Sequence, residues 1–304
     1  MTIQVMSSKT DKPHAYRFNE TDNWLPFEPY EISRSDDGTT WHSCYDDIEM
    51  ENIYCYGVDI AKANPTDTLR TFQGTDGQTI DSTRYETRAI TAHFVAKTTD
   101  ILDAELASDV IQRFFASRKP FWVAFGGKLG QPFKRWLVKA GQISVVSESE
   151  TWLMVDVPLT NLNGYARSIV NSVEFASDEE AYGGFGINLP GALTYTSSAS
   201  SFNIFNPSDI KIDPLQQHHD ITVTIKGTGT PTIKNTTNGT NFAFTKALTS
   251  SDTLQVIRVN PYLNGTQSGI NSNHGWIELE PGDNAITVSG LSGSVQFDFP
   301  FFFL

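Results

Sequence analysis

The chain has 304 residues, too long for one ordinary β-sandwich and comfortable for two domains. Its formal charge is −13, with 17 basic against 23 acidic side chains in residues 1–167 and 5 against 12 in 168–304. Neither half has the basic balance that neutralises phosphates, which excludes a sequence-specific nucleic-acid binder.

The N-terminal stretch MTIQVMSSKTDKPHAY holds no continuous apolar segment, so no signal peptide is read. Cys44 and Cys55 are accordingly expected in a reducing compartment, where free thiols are favoured over a pair across a hairpin. Up to about residue 80 the pattern is poor, and a strand is read only at N-I-Y-C-Y-G-V-D-I (52–60). The next stretch, 84–96, sets Arg88, Ile90, Ala92, Phe94 and Ala96 against Ala89, Thr91, His93 and Val95, the alternation of a strand.

Residues 100–117 read as one helix. Leu102, Leu106, Val110 and Phe114 recur every four residues, and Ile111 and Phe115 widen the stripe. Acids crowd its start, Arg113, Arg118 and Lys119 its end, and Pro120 stops it. F-W-V-A-F (121–125) and F-K-R-W-L-V-K-A (133–140) then form a hairpin around the Gly-rich loop G-G-K-L-G-Q-P, followed by strands at 143–147 and 151–159. The basic group Arg113, Arg118, Lys119, Lys128, Lys134, Arg135 and Lys139 reads as a solvated face, or as a contact with an acidic neighbouring subunit.

Composition turns small, polar and Gly-rich near 166–182. The domains are therefore read as 1–166, a linker 167–181, and 182–304. The last of these contains short strands about ten residues apart with turn signals between them, the texture of an antiparallel sandwich. The chain closes on V-Q-F-D-F-P-F-F-F-L (295–304), with Val295, Phe297, Phe299, Phe301 and Phe303 on one face of an extended segment. Pro300 makes this an edge strand or bends it, and the run is far shorter than the about 20 apolar residues of a membrane span.

Signals for chemistry are weak. His218, His219 and Asp220 are neighbours, and adjacent strand residues point to opposite faces, so no metal site is expected. G-G-K-L-G and G-T-G-T-P lack the spacing and context of phosphate loops, and no G-x-S-x-G is present. Glu278 and Glu280 share a strand face about 7 Å apart by strand rise, an arrangement that serves solubility more often than glycoside hydrolysis. Tyr262, His274 and Trp276 are the candidates for stacking on a sugar ring, with Trp276 also fitting a core position. No catalytic residue, cofactor or metal is assigned.

Three stretches carry a resemblance. The order Y-E-T-R-A-I-T-A-H-F (85–94), helix, then R-K-P-F-W-V-A-F (118–125) and a Gly-rich hairpin is similar to the N-terminal domain of the distal tail protein family of siphophages infecting Gram-positive bacteria. In the second half F-N-I-F-N-P-S-D-I-K-I-D-P, H-D-I-T-V-T-I-K-G and N-H-G-W-I-E-L-E-P-G-D-N-A-I-T-V-S-G, closed by the phenylalanine terminus, resemble the C-terminal domains of that family, particularly from phages of lactic acid bacteria.

The resemblance covers about residues 80–304 and implies a mainly β chain. A β-sandwich-like ring domain with one helix and an extended hairpin would precede a galectin-like sandwich. It further implies a non-enzymatic virion protein at the tail tip, made in the bacterial host cytoplasm. There a homo-hexameric ring would join the tail tube protein to the tail-associated lysin and receptor-binding or other baseplate proteins, with DNA passing through an acidic lumen. The alternative is a module that binds cell-wall polysaccharide; no membrane partner is expected.

Overall fold

The computed structural model describes residues 3–9, 12, 27–126, 132–178, 191 and 193–304. It is mainly β, and the chain divides between Ile169 and Val170 into two compact units.

In the first unit the strands are β1 (Glu31–Ser35), β2 (His42–Ser43), β3 (Ile53–Ile60), β4 (Pro65–Arg70), β5 (Thr79–Tyr85) and β6 (Arg88–Lys97), followed by helix α1 (Ile101–Phe115). After it come β7 (Phe121–Gly126), β8 (Lys134–Ala140), β9 (Ser144–Glu148), β10 (Trp152–Asn161) and β11 (Ala166–Asn171). The main sheet runs β2-β1-β7-β8-β10-β6-β3, with β9 added to β10. Its centre is the ten-residue pairing of β6 with β10, Lys97 opposite Trp152 and Arg88 opposite Asn161. Ile90, Ala92, Phe94 and Ala96 are buried, and the Phe94 ring lies 5.7 Å from that of Phe115 of α1. The alternation read in β6 is therefore the real division of its faces.

Helix α1 starts where Asp100 accepts the Asp103 N–H at 2.8 Å, while the Asp103 carboxylate accepts the Thr99 N–H at 2.9 Å. Its burial differs from expectation. The residues facing the sheet are Ala104, Ile111 and Phe115, whereas Leu102 and Leu106 are 64% and 54% exposed. The helix has apolar residues on two sides, and the side with Ile111 and Phe115 is the one that packs.

The two strands β4 and β5 form a sheet of their own. The sequence pattern left this region unassigned because among the described residues nothing covers either face, so no alternation is needed. This is the extended hairpin of the unit, in place of the Gly-rich one at 121–140. There β7 and β8 pair inside the main sheet, Phe121 opposite Val138, and loop residues 127–131 lie outside the described residues.

The second unit begins within the expected linker, where β11 ends and helix α2 (Ser172–Ser177) follows. Its further strands are β12 (Thr196–Ser197), β13 (Ser201–Asn206), β14 (Thr222–Asn235), β15 (Asn241–Ala243), β16 (Thr253–Ile257), β17 (Asn260–Leu263), β18 (Thr266–Gln267), β19 (Gly282–Asp298) and β20 (Pro300–Phe303). Two long antiparallel strands, β14 and β19, each join what the sequence showed as two short ones. They pair from Thr222↔Asp298 to Asn235↔Ile286, with a register shift between Gly229 and Thr232.

Glycine makes that close pairing possible. A Cβ on Gly227, at φ +142°, would sit 2.3 Å from Ser292 O, and one on Gly229, at φ +118°, 2.2 Å from Gly290 O. Both halves of the two strands bury one face: Ile233 and Ile286 in one half, Val223, Ile225, Val295 and Phe297 in the other.

The phenylalanine terminus is interior. Val295, Phe297 and Phe299 are buried, the strand breaks at Phe299, and Phe301, Phe302 and Phe303 are buried as well. Phe301 meets Phe175 of α2 edge-on at 5.6 Å, and Phe299 meets Tyr195 at 5.4 Å. Ser172 N–H donates to Phe299 O at 2.8 Å, and Phe302 N–H donates to Ser208 Oγ at 3.0 Å. Polar backbone released by the bend at Pro300 is thus bonded.

Candidate functional site

The three aromatic candidates all belong to the second unit. Tyr262 sits in β17, half-buried, opposite Gln255 and Gln267. His274 is exposed on a turn with φ 53°. Trp276 is half-buried, and its indole N–H donates to Glu278 Oε1 at 2.9 Å. Among the described residues no hydrogen bond or ring contact joins the three.

Around Trp276 the polar groups are interlocked. The other Glu278 oxygen pairs with Lys211 Nζ at 3.1 Å, and Lys211 lies 3.6 Å from the buried Asp213. Asn238 Nδ2 donates to Glu280 Oε1 at 3.3 Å and to Glu278 O at 3.1 Å. Glu278 and Glu280 are therefore each tied to a different partner, an arrangement that holds a loop.

The His218-His219-Asp220 run is also dispersed. The His219 ring is buried 4.3 Å from the Phe302 ring, and its Nδ1 accepts from Asp213 N–H at 3.1 Å. Asp220 pairs with Arg258 at 2.6 Å. Among the described residues no group of three or more His, Cys, Asp or Glu could hold a metal ion, and no helix is long and apolar enough to cross a membrane.

In the first unit, sequence reasoning missed a constellation on the outer face of the β3-β6-β10 strands. His93 Nδ1 lies 2.6 Å from Asp156 Oδ1 and its Nε2 3.2 Å from Asp59 Oδ2. Partial burial opposes charge on the ring, but hydrogen bonds to Asp156 and then Asp59 outweigh it and raise its pKa above the ordinary histidine value. One ring bridging two carboxylates on flanking strands clips three strands together. Only His93's place on the polar side of an alternating strand hinted at it.

The basic group between Arg113 and Lys139 is partly internal. Arg135 is buried, donates to Gly38 O at 2.6 Å and lies over the Trp122 ring at 4.5 Å. Arg113 pairs with Glu49 at 3.1 Å, and Lys139 Nζ donates to Ser117 O. Lys128 lies outside the described residues. Cys44 and Cys55 are free and buried, and burial pushes both thiols up, Cys55 to about 12, so neither is a poised nucleophile.

The first unit also exposes apolar groups. Leu69, Phe72 and Ile80 stand on the β4–β5 hairpin, Ile101, Leu102 and Leu106 on α1, and Val145 and Val146 on β9.

No protein-family model matches the sequence, and the search of curated proteins returned no match. Among solved structures, the Dit (gp 19.1) protein of phage SPP1, described as a paradigm of the hub adsorption apparatus in phages infecting Gram-positive bacteria, aligns over 90% of this chain and 99% of its own. It does so at 9% identity with a TM-score of 0.62. A chain of the phage P2 baseplate in its activated conformation with calcium aligns over 90% and 98% at 11% identity, with a TM-score of 0.40 that is too low to carry a fold argument. The chain thus has the fold of the SPP1 hub protein, and the resemblance read in the sequence holds at the level of fold.

Proposed function

We propose that this chain, sharing its fold with a phage adsorption hub, is a structural, non-enzymatic hub protein of a siphophage tail tip. The observation that carries this reading is the set of apolar groups on the hairpin, α1 and β9 of the first unit, surfaces suited to assembly. Six copies would form a ring through their first units. That ring would connect the tail tube to the tail-associated lysin and receptor-binding or other baseplate proteins in the virion. The net charge of −13 supports it, because a passage for DNA works best when its wall does not bind phosphates.

Light scattering coupled to size exclusion, across a concentration series, tests the ring. A species of roughly 200 kDa, six times the 33.7 kDa chain, imaged with a central hole, is the expected result. A particle that keeps the mass of one chain at every concentration overturns self-assembly.

A second reading, a module for cell-wall polysaccharide, rests on Trp276, whose indole is held in place by Glu278 beside Lys211. Binding of the full chain on a glycan array, lost in Trp276→Ala, would support it; an array without binding would sink it.

A further inference from the structure

The two ends of the main sheet meet. Its order runs from β2 and β1 at one end to β3 at the other, and a bridge between Tyr30, just before β1, and Cys55 of β3 joins them, with Tyr30 N–H donating to Cys55 O at 2.8 Å. Tyr30 and Ile32 are two residues apart, so their backbone groups point to the same edge of the strand. On that edge β2 sets Ser43 opposite Ser33, and Cys44 carries the line on. Its N–H donates to Ile32 O at 2.8 Å, and its Sγ accepts from Ile32 N–H at 3.4 Å. Residues 44 and 55 therefore stand opposite positions two apart, a Cα separation of about 6.6 Å at a rise of ~3.3 Å per residue, inside the limit of about 6.8 Å that a disulfide spans.

Direction agrees with distance. Residues opposite each other in an antiparallel pair share a face, and Tyr30 and Ile32 share one by the period of two, which puts both cysteines on the same side. Burial raises the Cys44 pKa most, and negative charge at Glu31 and at Cys55 raises it further, which places the two sulfurs within electrostatic reach of each other. Both cysteines also stand where the pairing is already irregular. β2 ends at Ser43, and the β3–β6 register shifts between Cys55 and Gly57, where Cys55 Sγ donates to Gly57 O at 3.3 Å. The backbone can adjust at these two points without breaking a regular ladder. Among the described residues, Cys44 further borders a recess of about 390 Å³ shared with Lys9, Tyr45, Asn52 and Tyr54, which gives a small reagent a way in.

We propose that Cys44 and Cys55 are a reversible disulfide pair, open as thiols in a reducing medium and closed in an oxidising one, where the bond pins the seam between the two ends of the main sheet. The oxidant is a small organic disulfide. The Cys44 thiolate, which borders the recess, attacks one of its sulfurs, forms a mixed disulfide and expels one small thiolate. The Cys55 thiolate then attacks the Cys44 sulfur and expels the second. Two protons and two electrons leave the protein thiols and end on two molecules of small thiol, so the reagent is reduced as the pair is oxidised. The new bond closes residues 45–54 into a loop. That loop carries the 3₁₀ turn Ile48–Met50, whose Glu49 pairs with Arg113 of α1 at 3.1 Å, so one bond fixes the seam and the helix contact together. The inference stands apart from the hub reading, because it needs only the first unit of a single chain.

The test incubates the full wild-type chain with oxidised glutathione at about pH 8.5, where burial-raised thiols ionise more than at neutrality. Mass spectrometry of the intact chain should show a loss of about 2 Da, and a digest should hold the Cys44 and Cys55 peptides together. The oxidised chain should melt about 5 °C higher than the reduced one, and dithiothreitol should reverse both changes. Cys55→Ser should stop at a glutathione adduct on Cys44, the intermediate of the first step. A wild type that keeps two free thiols, carries separate adducts on both cysteines, or links only between chains overturns the pairing. A bond between Cys44 and Cys55 that forms without raising the melting temperature overturns its role at the seam.

Discussion

Two apolar segments, one in each unit, meet opposite fates. In the first, Leu69, Phe72 and Ile80 stand exposed on a hairpin that forms a sheet of its own, and Leu102 and Leu106 face outward from α1. In the second, Phe297, Phe299, Phe301, Phe302 and Phe303 are all buried, although they occupy the end of the chain, where fraying is ordinary. The difference teaches that apolar content does not report a unit's core. The second unit buries its run of phenylalanines, whereas the first leaves a hairpin and one side of its helix with apolar groups that its own fold does not use.

Substitutions can break this contrast, and the largest effect is expected in the second unit. Phe301→Ala removes a buried ring that contacts Phe175, Phe299 and Tyr195, and should cost about 3–5 kcal/mol in a denaturant titration. A loss below about 1 kcal/mol would mean the terminus is peripheral. Next comes Gly227→Ala. The backbone there is at φ +142° and the new methyl would press on Ser292 O, so a loss of about 2–3 kcal/mol is expected, visible as a lowered melting temperature. Melting unchanged from the wild type would show that β14 and β19 can part there at no cost.

In the first unit effects are smaller. Asp100→Ala removes the cap of α1 and should cost about 1 kcal/mol, read from thermal unfolding. The His93 clip depends on pH. Its folded pKa is raised, so its stabilisation is complete below the ordinary value near 6.5 and is lost as pH rises through the folded value. The stability difference between wild type and His93→Gln should therefore be larger at pH 5.5 than at pH 8.5; a constant difference would show that the ring acts by packing alone.

The smallest effect sharpens the comparison most. Leu69→Ser with Ile80→Ser should change the unfolding free energy of the single chain by no more than about 0.5 kcal/mol, because those side chains lose little packing. A loss of several kcal/mol would show that the hairpin is part of a core.

Much of the fold was legible locally. β6, α1 and the β7–β8 pair stand close to where alternation, helical period and turn residues put them, because those signals are properties of neighbouring residues. Trp276 was ambiguous between core and surface and is half-buried, tied to Glu278 two residues on. By contrast His93, Asp156 and Asp59 come from three strands and are joined only by register, which no window of sequence contains.

By itself, then, the sequence determined which residues share a face of each strand and helix, where α1 begins, and that the chain ends in an apolar extended segment. Tertiary structure alone decided which apolar side of α1 packs, that β4 and β5 leave the sheet, and that β14 and β19 are each one continuous strand. The physical reason is that periodicity sets the direction of a side chain relative to its own element, whereas burial depends on what another, distant element brings against it.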